Sequence, residues 1–93
     1  MEKEVVWTTV AKSNFWEIVI YLKDNWPKEV LDRFSKALEL KVQLLQKQPY
    51  IGFKSSSHSR FRKTLVTKSY ILIYSITKDH IVIHKLKQRS QNL

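Results

Sequence analysis

The spacing of apolar positions predicts two helices in the first half of the chain. Apolar side chains recur every three or four positions over residues 11–22 and again over residues 30–45, which is the spacing of one face of an α-helix. Pro27 lies between the two runs and Pro49 follows the second, where proline begins or ends helices. Because the connection is short, we expect the two helices to form an antiparallel hairpin.

Several apolar residues fall beside these two stripes. Trp16 and Ile20 are expected to widen the stripe of the first helix, as they would if that helix contacts both a sheet and the second helix. Ala37, Leu40 and Leu44 add a flank to the second helix. Leu40 and Leu44 exceed what one buried face requires, so they are candidates for contact with a partner.

Four runs of residues are predicted to be strands. Residues 5–10 are β-branched and aromatic, which favours a first strand before the helices. Residues 60–68, 70–76 and 80–86 follow the helices, and the short breaks between them allow only antiparallel hairpins. The second of these three runs is apolar on both faces, which indicates a central strand.

The predicted fold is an α+β domain with the element order β-α-α-β-β-β. A helical hairpin packs on one face of a mostly antiparallel four-stranded sheet, and residues 1–93 form one domain. The helices cover a single face, so the basic residues of the last strands are expected to line the other face or its rim. Residues 51–59 are polar, contain Gly52, and are predicted to be a loop.

All of the net charge falls in the second half of the chain. Residues 1–46 carry seven Lys/Arg and seven Asp/Glu, whereas residues 47–93 carry ten Lys/Arg against one acid, Asp79, which accounts for the whole of the +9. Charge concentrated in this way produces a positive potential that attracts polyanions or acidic protein segments.

Composition excludes several classes of function. The chain has no cysteine, which removes disulfides and thiolate metal sites and fits a reducing compartment. No apolar stretch approaches the ~18 residues of a membrane span, so a cytoplasmic protein without membrane contact is expected. Its single glycine leaves no phosphate-binding glycine loop. Its three histidines lack acidic companions, so we expect no metal and no cofactor.

Short segments along nearly the whole chain form an ordered set that matches one known family. In order they are Val-Val-Trp-Thr at residues 5–8, Ala11 at the start of the first helix, Tyr21-Leu22 before Trp26, and residues 44–52, 61–66, 70–74 and 81–84. This set resembles the RelE/ParE superfamily of bacterial type II toxins. The resemblance implies a small toxin neutralised by a cognate acidic or amphipathic antitoxin, and it leaves a homodimer and a toxin–antitoxin hetero-oligomer both open.

The superfamily divides by mechanism, and the end of the chain bears on the choice. RelE-like members cut messenger RNA on the ribosome and usually end in a tail with Tyr or His-Tyr, which residues 87–93 lack. ParE-like members block DNA gyrase and often end in Asp-x-Arg-Gln-x-Pro. Here Arg89 falls one position early and Ser90 takes the place of the arginine. The resemblance therefore favours a ParE-like gyrase inhibitor that is not an enzyme, with a ribosome-dependent mRNA endoribonuclease as the alternative.

The two mechanisms require different side chains. Arginine stays charged and bonds phosphate or carboxylate through two nitrogens, which suits a binding surface. A metal-independent nuclease needs a base, cations and an acid, and His58 and His84 can titrate near neutral pH. By resemblance, Arg62 matches the arginine that RelE-like toxins carry on the first strand after the helices, and Lys54 lies in the preceding loop. Candidate binding residues are Arg60, Arg62, Lys63, Lys85, Lys87 and Arg89; candidate nuclease residues are Arg62, Lys54, Lys85, Arg89 and His84.

Less specific interpretations stand beside these. Basic strand residues commonly serve only to keep a sheet soluble, and Tyr70 and Tyr74 are expected to be core residues. A nucleic-acid-binding module without a toxin role is a third hypothesis. It is disfavoured because the stacking aromatics with flanking glycines of RNA-binding sheets are missing from the predicted strands.

Overall fold

The computed structural model describes residues 2–89, in which two helices pack on one face of a five-stranded sheet. The strand order is β1-β5-β4-β3-β2, with β1 parallel to β5 and every other neighbouring pair antiparallel. The predicted α+β class is confirmed. The elements are β1 (Glu4–Trp7), α1 (Thr9–Asn25), α2 (Lys28–Lys47), a 3₁₀ turn (Pro49–Ile51), β2 (Phe53–Lys54), β3 (Arg62–Leu65), β4 (Tyr70–Ile76) and β5 (His80–Gln88).

The prediction of four strands is wrong by one short strand. Phe53 and Lys54 form β2 inside the predicted loop, where Phe53 pairs with Lys63 and Lys54 with Arg62. A strand of two residues is too short to produce an alternating pattern, so periodicity could not reveal it. β2 lies at the edge of the sheet and begins the segment that leads to β3.

The first strand is shorter than predicted, because a helix cap interrupts the β-branched run. The Thr8 hydroxyl accepts a hydrogen bond from the amide of Ala11 at 3.1 Å, which makes Thr8 the N-cap of α1. The same hydroxyl donates to the carbonyl of Ile83 at 3.0 Å. Thr9 and Val10 are therefore helical despite their β-branched side chains, and the start of α1 is fixed to β5.

The core lies between the helices and the sheet, as the apolar stripes predict. Among the described residues it consists of Ala11, Ile18 and Leu22 from α1, Phe34, Leu38 and Leu45 from α2, and Val66, Tyr70, Leu72, Tyr74, Ile81, Ile83 and Leu86 from the sheet and its turn. In the middle of the sheet, β4 is buried on both faces along much of its length. The prediction of a central strand at residues 70–76 is thus confirmed.

The expected role of Trp16 and Ile20 is wrong. Both lie on the outer side of α1, where they are 60% and 58% exposed. Ala11 and Ile18 face the sheet, and a rotation of about 100° per residue carries positions 16 and 20 to the far side of the helix. The Trp16 ring lies in an edge-to-face arrangement with the Phe15 ring, with centroids 5.1 Å apart.

Strand register divides the side chains of the sheet between two faces. Leu72 lies beside Leu86 on the face that the helices cover, whereas Ile73 lies beside Lys63 and Lys85 on the opposite face. The β4–β5 ladder shifts register between Ile73 and Tyr74. We call the uncovered side the open face; its residues include Lys63, Leu65, Ile71, Ile73, Ser75, His80, Val82, His84, Lys85 and Lys87.

Gly52 occupies a place that a larger residue could not fill. Its amide donates to the Tyr74 hydroxyl at 3.0 Å, and that hydroxyl donates to the carbonyl of Pro49 at 2.7 Å. A Cβ atom on Gly52 would lie 2.6 Å from the Tyr74 hydroxyl and 2.8 Å from the carbonyl of Lys63. This close approach explains the one glycine of the sequence, because its φ of −75° is open to any residue.

Truncation of Leu72 should cost much more stability than truncation of Ile73. Leu72 is fully buried between the helices and the sheet, so Leu72→Ala should lower the free energy of unfolding by about 2–5 kcal/mol. Ile73 is half-buried on the open face and should lose clearly less in the matched variant Ile73→Ala. Denaturant melts measure both. Equal losses below ~1 kcal/mol would contradict the assignment of faces.

Replacement of Gly52 by alanine should destabilise the fold by about 1–3 kcal/mol, because the added methyl displaces the Tyr74 hydroxyl or the backbone of Lys63. Denaturant melts measure the loss, with Ser56→Ala in the exposed loop as the control. A Gly52→Ala variant as stable as the parent would mean that Tyr74 does not hold this close approach.

Candidate functional site

The open face carries a group of lysines. Lys63 and Lys85 flank Ile73 from the two neighbouring strands, and Lys87 lies beside Ile71. The sequence predicted that basic residues of the last strands would line this face, and the register confirms it for these three. The acid paired to this face, Glu4, is at its β1 edge, where its carboxylate lies 3.7 Å from the Nε2 atom of His80. The rest of the face is therefore electropositive.

Between these lysines the open face is apolar. Ile71 is buried although it points away from the helices, and Ile73 and Val82 are half-buried. Leu65, which pairs with Ile71, remains largely exposed. Lysine stems can cover apolar surface while their ammonium groups stay in water. The arrangement suits a partner that offers both apolar side chains and carboxylates.

A second basic feature is a cleft of about 460 Å³ beside the start of β3. It brings together three of the five nuclease candidates, Lys54, Arg62 and His84. Lys85 lies on the open face outside this cleft, and it also borders a groove between α1 and β5. Arg89 lies beyond β5 next to Lys68. The lining residues of the cleft are Tyr50, Lys54, Ser59, Arg60, Phe61, Arg62, Ser75, Ile76, Thr77 and His84.

His84 is held on the open face by two contacts. Its Nε2 atom lies 2.8 Å from the Ser75 hydroxyl, and its ring lies 4.7 Å from the ring of Phe61. Phe61 in turn stacks on His58, with centroids 4.5 Å apart. Burial lowers the pKa of His84, and the positive charge of Arg60 lowers it further. The imidazole is therefore neutral at pH 7 and able to accept a proton.

Arg62 points to the helix side of the sheet, away from its neighbour Lys63. Its Nη1 atom donates to the carbonyl of Gly52 at 2.8 Å and to the carbonyl of Tyr50 at 3.3 Å. Its guanidinium carbon lies 5.0 Å from the centre of the Tyr50 ring. The sequence placed Arg62 with the residues that contact a target, whereas these contacts are within the protein.

The remaining candidates differ in setting. Arg60 is exposed at the end of the loop, and its positive charge lowers the pKa of His84. The backbone amide of Arg89 donates to the carbonyl of Ser69 at 2.8 Å, and its side chain is exposed. Residues 90–93, which complete the predicted C-terminal motif, lie outside the described residues.

Sequence reasoning did not predict Ser75 and Tyr50, which contact His84 and Arg62 in the cleft. Ser75 interrupts the apolar run of β4, and that interruption was a signal that its hydroxyl has a partner. Tyr50 gave no comparable signal, because a tyrosine after a helix-ending proline has many possible roles. Within residues 2–89, no group of three acidic or histidine side chains is placed to bind a metal ion. Neither helix in that range is long and apolar enough to cross a membrane.

Comparison with known proteins agrees with this architecture. A search of curated proteins gives no significant match. Solved structures of similar fold include the chromosomal ParDE toxin–antitoxin system from P. aeruginosa, at a TM-score of 0.76 and 16% identity over 94% of this chain and 96% of that one.

Two further complexes have the same fold. The RelBE2 toxin–antitoxin complex from Mycobacterium tuberculosis has a TM-score of 0.69 and 18% identity over 96% of this chain and 100% of that one. The E. coli DinJ–YafQ complex has a TM-score of 0.68 and 13% identity over 100% and 99%. The family model for the ParE toxin of the type II toxin–antitoxin system parDE matches residues 5–93. The chain therefore belongs to the ParE toxin family and is the toxin of a type II toxin–antitoxin system.

Proposed function

We propose that this toxin stops growth by binding an essential protein, DNA gyrase, through the open face, and that it does so without catalysis. The observation that carries the proposal is the combination on that face of an apolar floor with Lys63, Lys85 and Lys87 around it. A floor of this kind gains free energy by covering apolar surface, which a phosphodiester backbone does not offer. Gyrase is the target that the ParE-like resemblance implies.

The contacts and positions of the candidate nuclease residues favour binding of a target over cleavage of RNA. Arg62 is engaged with two backbone carbonyls, so it is not directed at a substrate. Lys85 and Arg89 lie outside the cleft that holds Lys54 and His84. A nuclease needs its cations and its proton-transfer groups around one phosphate.

RNA cleavage on the ribosome is the second candidate function. Its support is that Lys54, Arg60 and His84 line one cleft, and that His84 is neutral at pH 7 because burial lowers its pKa. A neutral imidazole can act as a general base toward a 2′-hydroxyl. The two functions differ in which residues they require, so they can be separated by substitution.

The partner in the cell is an antitoxin whose acidic or amphipathic segment covers the toxin. The charge of +9 on a domain of 93 residues favours acidic segments. Leu40 is 53% exposed on α2 with Leu44 beside it, and both offer apolar surface to an amphipathic segment. The relatives solved as toxin–antitoxin complexes support such a partner.

Reversal of charge on the open face should remove the inhibition of gyrase. Lys63→Glu, Lys85→Glu and Lys87→Glu should each weaken inhibition of DNA supercoiling by about 10-fold or more, because a like charge replaces attraction at the interface. The matched control is Lys36→Glu on the exposed side of α2, which makes the same change of charge away from the open face. That control should inhibit as the parent does.

His58→Ala and His84→Ala should continue to inhibit growth. If folded His84→Ala alone loses its effect, and cells expressing the parent toxin contain transcripts cut at codons, the protein acts by RNA cleavage instead. Inhibition of gyrase that survives all three lysine reversals would also refute the proposed surface.

Association with the antitoxin should depend on salt. The Debye length falls from about 10 Å at 0.1 M salt to about 3 Å at 1 M, so steering by the charge of the second half is lost over that range. We expect the association rate constant to fall several-fold, as stopped-flow fluorescence can measure. The double variant Lys85→Gln with Lys87→Gln should make the association rate constant less dependent on salt. A rate constant that does not change with salt would rule out electrostatic steering.

A further inference from the structure

We infer that Arg62 is a positioning residue, which holds residues 50–54 in place through the carbonyls of Tyr50 and Gly52 and does not itself contact the target. The structural part of this inference stands by itself, and only the predicted effect on growth inhibition rests on the proposed function. It assigns to Arg62 a role different from that of Lys63, the next residue of the same strand.

The first support is the way in which two strands hold one short segment. Arg62 of β3 donates to the carbonyls of Tyr50 and Gly52, and Tyr74 of β4 donates to the carbonyl of Pro49 and accepts from the amide of Gly52. The paired strand that follows, β2, has only two residues. Four hydrogen bonds from two side chains therefore determine where this segment lies, in place of a long ladder.

The second support is that the guanidinium is constrained. One nitrogen, Nη1, serves both carbonyls, and the Tyr50 ring lies 5.0 Å from the guanidinium carbon. Arg62 cannot turn toward a ligand without breaking these contacts and leaving the carbonyl of Gly52 without this donor. Lysine would keep the charge at this position, but it lacks the planar guanidinium that lies over the Tyr50 ring.

The third support is that residues 50–54 carry exposed side chains that a target could contact. Tyr50 is 67% exposed and Phe53 is 82% exposed, and Lys54 follows at the edge of the cleft. Exposed tyrosine and phenylalanine side chains are enriched at protein interfaces. Release of the segment would move all three at once, so loss of Arg62 acts on the surface indirectly.

The test compares Arg62→Ala, Arg62→Lys and Tyr74→Phe in the full chain. Tyr74 is fully buried and its substitution removes no charge, so Tyr74→Phe can affect a target only through the segment. In each variant we expect amide hydrogen exchange of Gly52 to accelerate about 10-fold or more, while Leu72 in the central strand stays protected. Growth inhibition should fall in all three variants, including Arg62→Lys and Tyr74→Phe, which both retain a positive charge at position 62.

Two controls accompany these variants. Lys63→Ala should leave the exchange of Gly52 unchanged, because its side chain lies on the open face. Denaturant melts identify any variant that fails to fold. If Arg62→Ala does not fold, Arg62→Lys still tests the inference.

Three outcomes would overturn the inference. One is full activity of Tyr74→Phe or Arg62→Lys. Another is loss of activity in Arg62→Ala while the exchange of Gly52 is unchanged, which would make Arg62 a contact residue. The third is accelerated exchange in all variants with activity intact. A parent protein that does not inhibit gyrase refutes the proposed function alone, since exchange and growth are measured without reference to the target.

Discussion

The hydroxyl of Tyr74 is the polar group on which the arrangement of this toxin depends. A hydroxyl in an apolar core is costly unless it is hydrogen-bonded, and here it donates to Pro49 and accepts from Gly52. These bonds determine how the chain leaves α2 and enters the sheet. Burial raises the pKa of Tyr74, opposed by the Gly52 amide and the charge of Arg62, so the phenol stays protonated and remains a donor. The position of β2 and the shape of the basic cleft both follow from this contact.

The alternation of β3 separates structural from surface roles within one strand. Arg62 points toward the helices and bonds backbone carbonyls, while Lys63 points to the open face beside Ile73. Two adjacent cations therefore serve different purposes because successive side chains of a strand face opposite ways. The same alternation places Leu86 in the core and Lys85 and Lys87 outside it. Three lysines of the second half therefore lie on the side that the helices leave uncovered.

Periodicity in the sequence predicted both helices, the order of the main strands and the central place of residues 70–76, because these elements bury one or both of their faces continuously. It could not reveal β2, whose two residues carry no period. Trp16 and Ile20 were assigned to the buried stripe by their apolar character, although the helical period places both on the far side of α1, where they are exposed. The basic candidates were found by their charge and, for Arg62 and Lys54, by resemblance to RelE-like toxins. Charge gave no indication that Arg62 faces carbonyls that come from another part of the chain.

The parallel pairing of β1 with β5 has a consequence for the time at which a nascent chain becomes toxic. Glu4 pairs with His80, so the first strand of the chain cannot pair until the last strand has been synthesised. β5 is also an interior strand with neighbours on both sides. At synthesis rates of ~5–20 residues per second, the interval between these partners is roughly 4–15 s. A chain interrupted before residue 80 lacks β5, and with it Lys85, Lys87 and the core residues Ile81, Ile83 and Leu86, so it does not yet have the fold of the toxin.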